Sequence, residues 1–168
     1  FNTQAAGVGS TFDCASYNLS SSGLFTLNAG GILLNNATIT CTTFQVNGVS
    51  FTLTQGTITP SVSFTVGSSG SFTYTGGTLS PVNTFGQDLG TVTLNQPLSL
   101  TTTGTYTLTS GTLTLNSNLT TGSFITTGTL TRAIAFGTSQ ITLTGLGTVI
   151  TPVSISAIGG ATFYNVSY

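Results

Sequence analysis

The sequence predicts an all-β protein, and within that class a β-solenoid, parallel β-helix-like, with short strands turned at glycine corners. Three observations carry the prediction: a composition of β-forming residues almost free of charge, strict alternation of apolar and polar residues, and a strand–corner–strand unit that recurs along the chain. An antiparallel β-sandwich or jelly roll is the alternative, because glycine pairs also suit the tight turns of hairpins.

The composition comes first. Of 168 residues only Asp13, Asp88 and Arg132 are ionised, and Lys, Glu and His are absent. Ordinary domains carry about 25% charged residues, so this surface must be built from something else. Thr occurs 38 times, with Ser, Asn and Gly supplying most of the remaining polar character. A disordered chain would combine low hydrophobicity with high net charge. Here the mean hydropathy is positive and 38% of residues are apolar. Thr, Val, Ile, Phe and Tyr fit a pleated, half-buried surface. The chain is long enough for one domain with a core, and no boundary divides it. Residues 1–168 therefore read as a single all-β domain, repeat-rich over 51–168 and least repeat-like over 1–50.

The repeat gives the second and third observations. Phe51 to Thr59 reads FTLTQGTIT, Phe72 to Ser80 reads FTYTGGTLS, and Tyr106 to Thr114 reads YTLTSGTLT. A looser copy, FTLNAGGILL, begins at Phe25, and a fragment, ITLTGLGTV, begins at Ile141. Within each copy the aromatic residue and the following Leu or Tyr point one way and the threonines the other. Parity then breaks at Gly56, Gly77 or Gly111, which mark structural corners where a backbone without Cβ can bend. Strands of about five residues with short corners give solenoid rungs of about 20 residues. The four copies start 26, 21 and 34 positions apart, and that unequal spacing keeps the sandwich in view. Phe25, Phe51, Phe72 and Tyr106 are expected in the core, with Tyr17, Tyr164 and Tyr168 freer to be exposed. The four prolines, Pro60, Pro81, Pro97 and Pro152, are expected between strands, and Val82 to Gly90, VNTFGQDLG, is expected to be a loop.

The same composition removes whole classes of function. Acid–base catalysis needs a group that titrates near the working pH, and only Asp13 and Asp88 remain, both reading as turn residues. Serines and threonines lack a histidine base, and Cys14 and Cys41 lack basic neighbours that would activate a thiol. No metal-ligand set or calcium-binding Gly-Gly-x-Gly-x-Asp repeat is present, so no metal and no cofactor is expected. A lone arginine cannot replace the counterions of a nucleic acid. Arg132 reads as an exposed guanidinium, or as one paired with Asp13 or Asp88 or set at a subunit contact. No run reaches the length of about 18 apolar residues that a membrane span needs. The opening FNTQAAGVGS lacks the regions of a secretory signal and begins with Phe, as in a processed or excised chain.

What remains is surface chemistry. Cys14 and Cys41 can pair in an oxidising compartment, or sit buried as two small apolar groups. Asn18, Asn36, Asn118 and Asn165 each open an N-x-S/T acceptor for N-glycosylation. Flat arrays of Thr and Asn suit glycans, further copies of the chain, or nothing at all.

Specific residues then resemble a known group. Tyr106 to Gly145 is similar to a repeat of large, Thr/Gly-rich β-solenoid proteins of bacteriophages and uncultured viruses. The resemblance lies in GTLTLN at Gly111–Asn116, the Thr131-Arg132-Ala133-Ile134 stretch, and GTSQITLTG at Gly137–Gly145. Gly159 to Val166 looks like the opening of a further rung. The resemblance implies a fibre, tail appendage or adhesin, with no active site to carry over. The expectation is therefore a non-catalytic, self-associating segment of an extracellular or virion-surface fibre, not an enzyme. Two alternatives stand beside it: a cellular filament or pilus subunit assembled by strand complementation and glycosylated, and a carbohydrate-binding adhesin module with cell-surface glycans as partners.

Overall fold

The computed structural model describes residues 2–3, 11–80, 82–126, 129–145 and 166–167. Among them every element is a strand, and every strand pairing is parallel. Parallel neighbours rule out hairpins, and the chain coils as a β-solenoid of about six turns. The sandwich alternative falls with the hairpins.

Each turn lays down three short strands, one on each of three faces. The first face stacks Leu24–Leu27, the later halves of Thr38–Asn47 and Thr57–Gly67, then Thr84–Gln87, Thr105–Leu108 and Ser123–Thr126. The second face pairs Thr11–Asp13 with Gly31–Leu33, and stacks Ser50–Leu53, Ser71–Tyr74, Thr91–Leu94, Gly111–Leu115 and Arg132–Ala135. The third face begins with Leu19–Ser20, the early halves of the two long strands, and Thr78–Leu79. It resumes with Leu98–Ser99, Leu119–Thr121 and Ile141–Leu143.

Alternation fills the interior. On the first face Phe25, Phe44, Phe64, Phe85, Tyr106 and Phe124 occupy one register position in six successive rungs. Their rings stack with centroids 5.2, 5.2, 5.1, 4.8 and 5.3 Å apart and interplanar angles between 7° and 20°. The spacing follows from the backbone, because paired strands lie about 4.7–4.9 Å apart and identical positions inherit that repeat. Each stacked pair adds about 0.5–1.5 kcal/mol beyond the burial of its area. Phe51 and Phe72 begin a second column, at 5.8 Å, which continues as Val92, Leu113 and Ile134. Phe25, Phe51, Phe72 and Tyr106 are thus all core residues.

The unequal spacing of the repeat now has a cause. In the copies at Phe25 and Tyr106 the aromatic strand lies on the first face and the corner leads to the second. In those at Phe51 and Phe72 it lies on the second face and leads to the third. The same unit therefore serves two different corners. Its start shifts by part of a turn while the rung length, read from the paired residues of the first face, stays at 18 to 21.

Two expectations need correction. Residues 82–90 are not simply a loop, since Thr84–Gln87 is a first-face strand with Phe85 wholly buried. Gly86 and Gln87 hide the pattern: the glycine faces outward beside Thr65, and the glutamine points inward at 1% exposure. Gln87 is tolerated because its amide donates to the carbonyls of Gly90 and Thr112 at 3.0 and 2.7 Å, and its Oε1 accepts the Tyr106 hydroxyl at 2.7 Å. Pro60 lies inside the strand Thr57–Gly67, not between strands. It pairs with Cys41 where the register shifts before Thr43↔Ser63, so the bulge that turns the third face into the first accommodates a residue without an N–H. Pro97 does precede a strand, Leu98–Ser99, while Pro81 and Pro152 fall outside the described residues.

Gly56, Gly77 and Gly111 adopt φ of 75°, 66° and 94°. A Cβ on Gly77 would come 2.7 Å from the Gly56 carbonyl of the rung below. Denaturant midpoints of three variants test the stack and the corners. Phe64→Ala opens a hole in the ring stack and costs about 3–5 kcal/mol. Gly77→Ala costs about 1–3 kcal/mol through backbone conformation and crowding. Gly23→Ala, with nothing within 4 Å of the added carbon, stays within about 0.5 kcal/mol. Equal effects at Gly77 and Gly23 would contradict the corner assignment.

Candidate functional surface

Chemistry on this exterior begins with its few ionised groups. Asp13 accepts the Ala15 amide and the Asn35 side-chain amide, both at 2.7 Å, and so closes a turn and ties it to the next rung. Asp88 accepts the Ser110 hydroxyl at 2.9 Å, whose oxygen in turn accepts the Leu89 amide at 2.7 Å. Ala15 and Leu89 have φ of 50° and 58°, so Asp13 stands two residues, and Asp88 one residue, before a left-handed position. Both carboxylates fasten turns. Arg132 begins the last described second-face strand, in register with Gly111. Among the described residues no three of His, Cys, Asp and Glu cluster to hold a metal ion. No described helix is long and apolar enough to cross a membrane.

Cys14 and Cys41 are free thiols, 3% and 2% exposed, inside the apolar interior. The cross-link weighed from the sequence is not made in this structure. Burial raises the Cys41 thiol to about 11, and raises Cys14 too, with the Asp13 charge adding to the effect. Burial likewise holds the Tyr106 hydroxyl well above its usual range.

The glycosylation acceptors occupy one kind of position. Asn18, Asn36 and Asn118 are exposed and directly precede or enter third-face strands, with Leu19, Ala37 and Leu119 turned inward after them. The Oδ1 atoms of Asn18 and Asn118 accept the backbone amides of Thr38 and Gln140, one rung on, at 2.8 and 3.1 Å. Asn165 lies outside the described residues, as do Tyr164 and Tyr168, while Tyr17 is 80% exposed.

The most regular feature is the outer side of the second face over four rungs. One column is Thr52, Thr73, Thr93 and Thr114, in exact register order through the strand pairs. The column before it is Ser50, Ser71, Thr91 and Thr112. The column after it is Thr54, Thr75, Asn95 and Asn116, carried past the strand ends by the bonds Thr75 N–H to Leu53 O, Asn95 N–H to Tyr74 O and Asn116 N–H to Leu94 O. Some of these groups engage each other: Ser71 donates to Ser50 at 2.9 Å and Asn116 to Asn95 at 2.7 Å. The first face is less uniform, its central outward column running Thr26, Gln45, Thr65, Gly86, Thr107 and Ile125. The Thr-x-Thr strands are plain in the sequence, but the alignment of three columns is not, since alignment needs the true rung length. The signal was present in the spacing of 21, 20 and 21 between Thr52, Thr73, Thr93 and Thr114.

Comparison with protein-family models, with curated proteins and with solved structures gives no match to this chain.

The buried thiols set a measurable pH response. The folded Cys41 keeps its proton up to about pH 11, whereas the exposed thiol of the unfolded chain loses it near 9.0. Unfolding in that window releases a proton, so this contribution to stability is complete below pH 9 and is lost as pH rises through 11. Denaturant midpoints at pH 8 and pH 11 should show the fall, and Cys41→Ala should reduce it. At pH 8 a thiol reagent should leave both cysteines unmodified until denaturant is added. Rapid labelling of the native chain would contradict their burial.

Proposed function

We propose that the chain is a non-catalytic structural segment of an extracellular or virion-surface fibre or appendage, and that it self-associates. The observation that carries this reading is the regular outer side of the second face. Rung after rung repeats the same hydroxyl and amide chemistry, while two of the three ionised side chains are committed to turns or lie beside them. A coil of parallel rungs is a natural length-building element, because each turn repeats the last and adds the same rise. So little charge also leaves weak electrostatic repulsion between copies, which favours association. The likeness of Tyr106 to Gly145 to viral β-solenoid repeats points the same way.

A second reading is a cell-surface filament bearing N-glycans. The exposure of Asn18, Asn36 and Asn118 beside one face favours it. Glycans there would stand outside the stack, since Asn18 and Asn118 are exposed and hold the next rung through Oδ1, not through the amide nitrogen that would carry the sugar.

Electron microscopy of the purified chain in neutral buffer, with mass per length, tests the proposal. Slender particles of constant width holding several copies are expected. Monodisperse single chains at high concentration would overturn self-association, and peptide mass spectrometry of material from its source decides between bare and glycosylated surfaces.

A further inference from the structure

Beyond its structural role, we infer that the outer second face, from Ser50 to Asn116, is a binding surface for ice. Three columns of outward side chains set the geometry of this face. Rungs repeat about every 4.8 Å, and alternate residues along a strand about every 6.6 Å, so the outward hydroxyls and amides form a two-dimensional net. The lattice of hexagonal ice repeats on this same scale in two directions. A ligand that is itself a rigid periodic plane is the one such a net can meet at many points at once.

The side chains suit that ligand. Threonine is β-branched and stiff at χ1, so its hydroxyl and methyl are held in place without further ordering. Among the described residues the hydroxyls of the central column, Thr52, Thr73, Thr93 and Thr114, have no hydrogen-bond partner, unlike those of Ser50, Ser71 and Thr75. Each can both donate and accept outward. No residue at the column positions is charged, so no ion organises water in a competing pattern. The net has definite limits: above it, Ala133 and Ala135 take the positions of Thr112 and Thr114. Each contact is weak, but contacts fixed in register to one crystal act as a multivalent set.

Other occupants fit less well. A soluble glycan would be held by converging polar groups or an exposed ring. Among the described residues the exposed aromatics, Phe12 and Tyr17, lie outside these four rungs. A second copy offers only the same four rungs, whereas a crystal plane extends past them in both directions.

The test is ice-growth microscopy on the full chain at neutral pH, recording the gap between melting and growth temperatures and the crystal shape. The wild-type chain should hold faceted crystals without growth across a measurable gap. Thr73→Lys with Thr93→Lys should lose most of that gap, while Thr107→Lys, on the first face, keeps it. Thr73→Val with Thr93→Val, which preserves shape and strand preference, separates loss of hydroxyls from loss of fold, and far-UV circular dichroism monitors folding. Ice that grows freely with the wild-type chain, or equal losses from changes on the two faces, would overturn the assignment.

Discussion

Everything in this molecule depends on like side chains stacking in register along the coil. Parallel pairing fixes the rung repeat, and an aromatic ring placed inward on one rung meets a ring on the next at about that distance. The backbone ladder and the ring ladder therefore enforce the same register. A slip of one residue would turn the rings outward and the threonines inward, which is why alternation is kept so strictly. Where aromatic and glutamine side chains bring polarity into the interior, hydrogen bonds hold it. The Tyr106–Gln87 pair, closed by the carbonyls of Gly90 and Thr112, is one instance, and the Tyr74 hydroxyl accepting the Leu79 amide at 3.1 Å is another.

The exterior follows from the interior. Once rung length is held near 20 residues, any outward position is repeated as a column, and like charges in a column would repel at rung spacing. Neutral hydroxyls and amides avoid that penalty and can bond along the column, as Asn116 does with Asn95 and Thr105 with Ser123. The near absence of charge is thus a consistent solution to stacking, and it leaves a surface whose character changes little with pH. Corners complete the design, with positive φ at Gly56, Gly77 and Gly111 letting rungs approach where a Cβ would collide.

The fold class is legible in the sequence because alternation and glycine corners are local signals. Rung length is less so: the repeat begins on either of two faces, so spacings of 26, 21 and 34 mask a rung near 20. Thr84–Gln87 reads poorly as a strand because its inward Gln87 and outward Gly86 invert the expected polarity, and only the internal bonds of Gln87 explain the exception. Pro60 misleads for a similar reason, since a bulge at a corner is not visible locally. The threonine columns combine both limits. Each Thr-x-Thr is plain in the sequence, but their alignment appears only once the true rung is known.

The central claim is in-register parallel stacking, and distances along one outward column test it most directly. Thr43, Ser63, Thr84, Thr105 and Ser123 are successive neighbours on the first face. With Cys14 and Cys41 replaced by alanine, a spin label at Thr43 can be paired in turn with one at each of the others. The account predicts label separations that grow by about 4.8 Å per rung along a line. Separations that fail to rise steadily with rung number, as hairpin pairing would give, would contradict it.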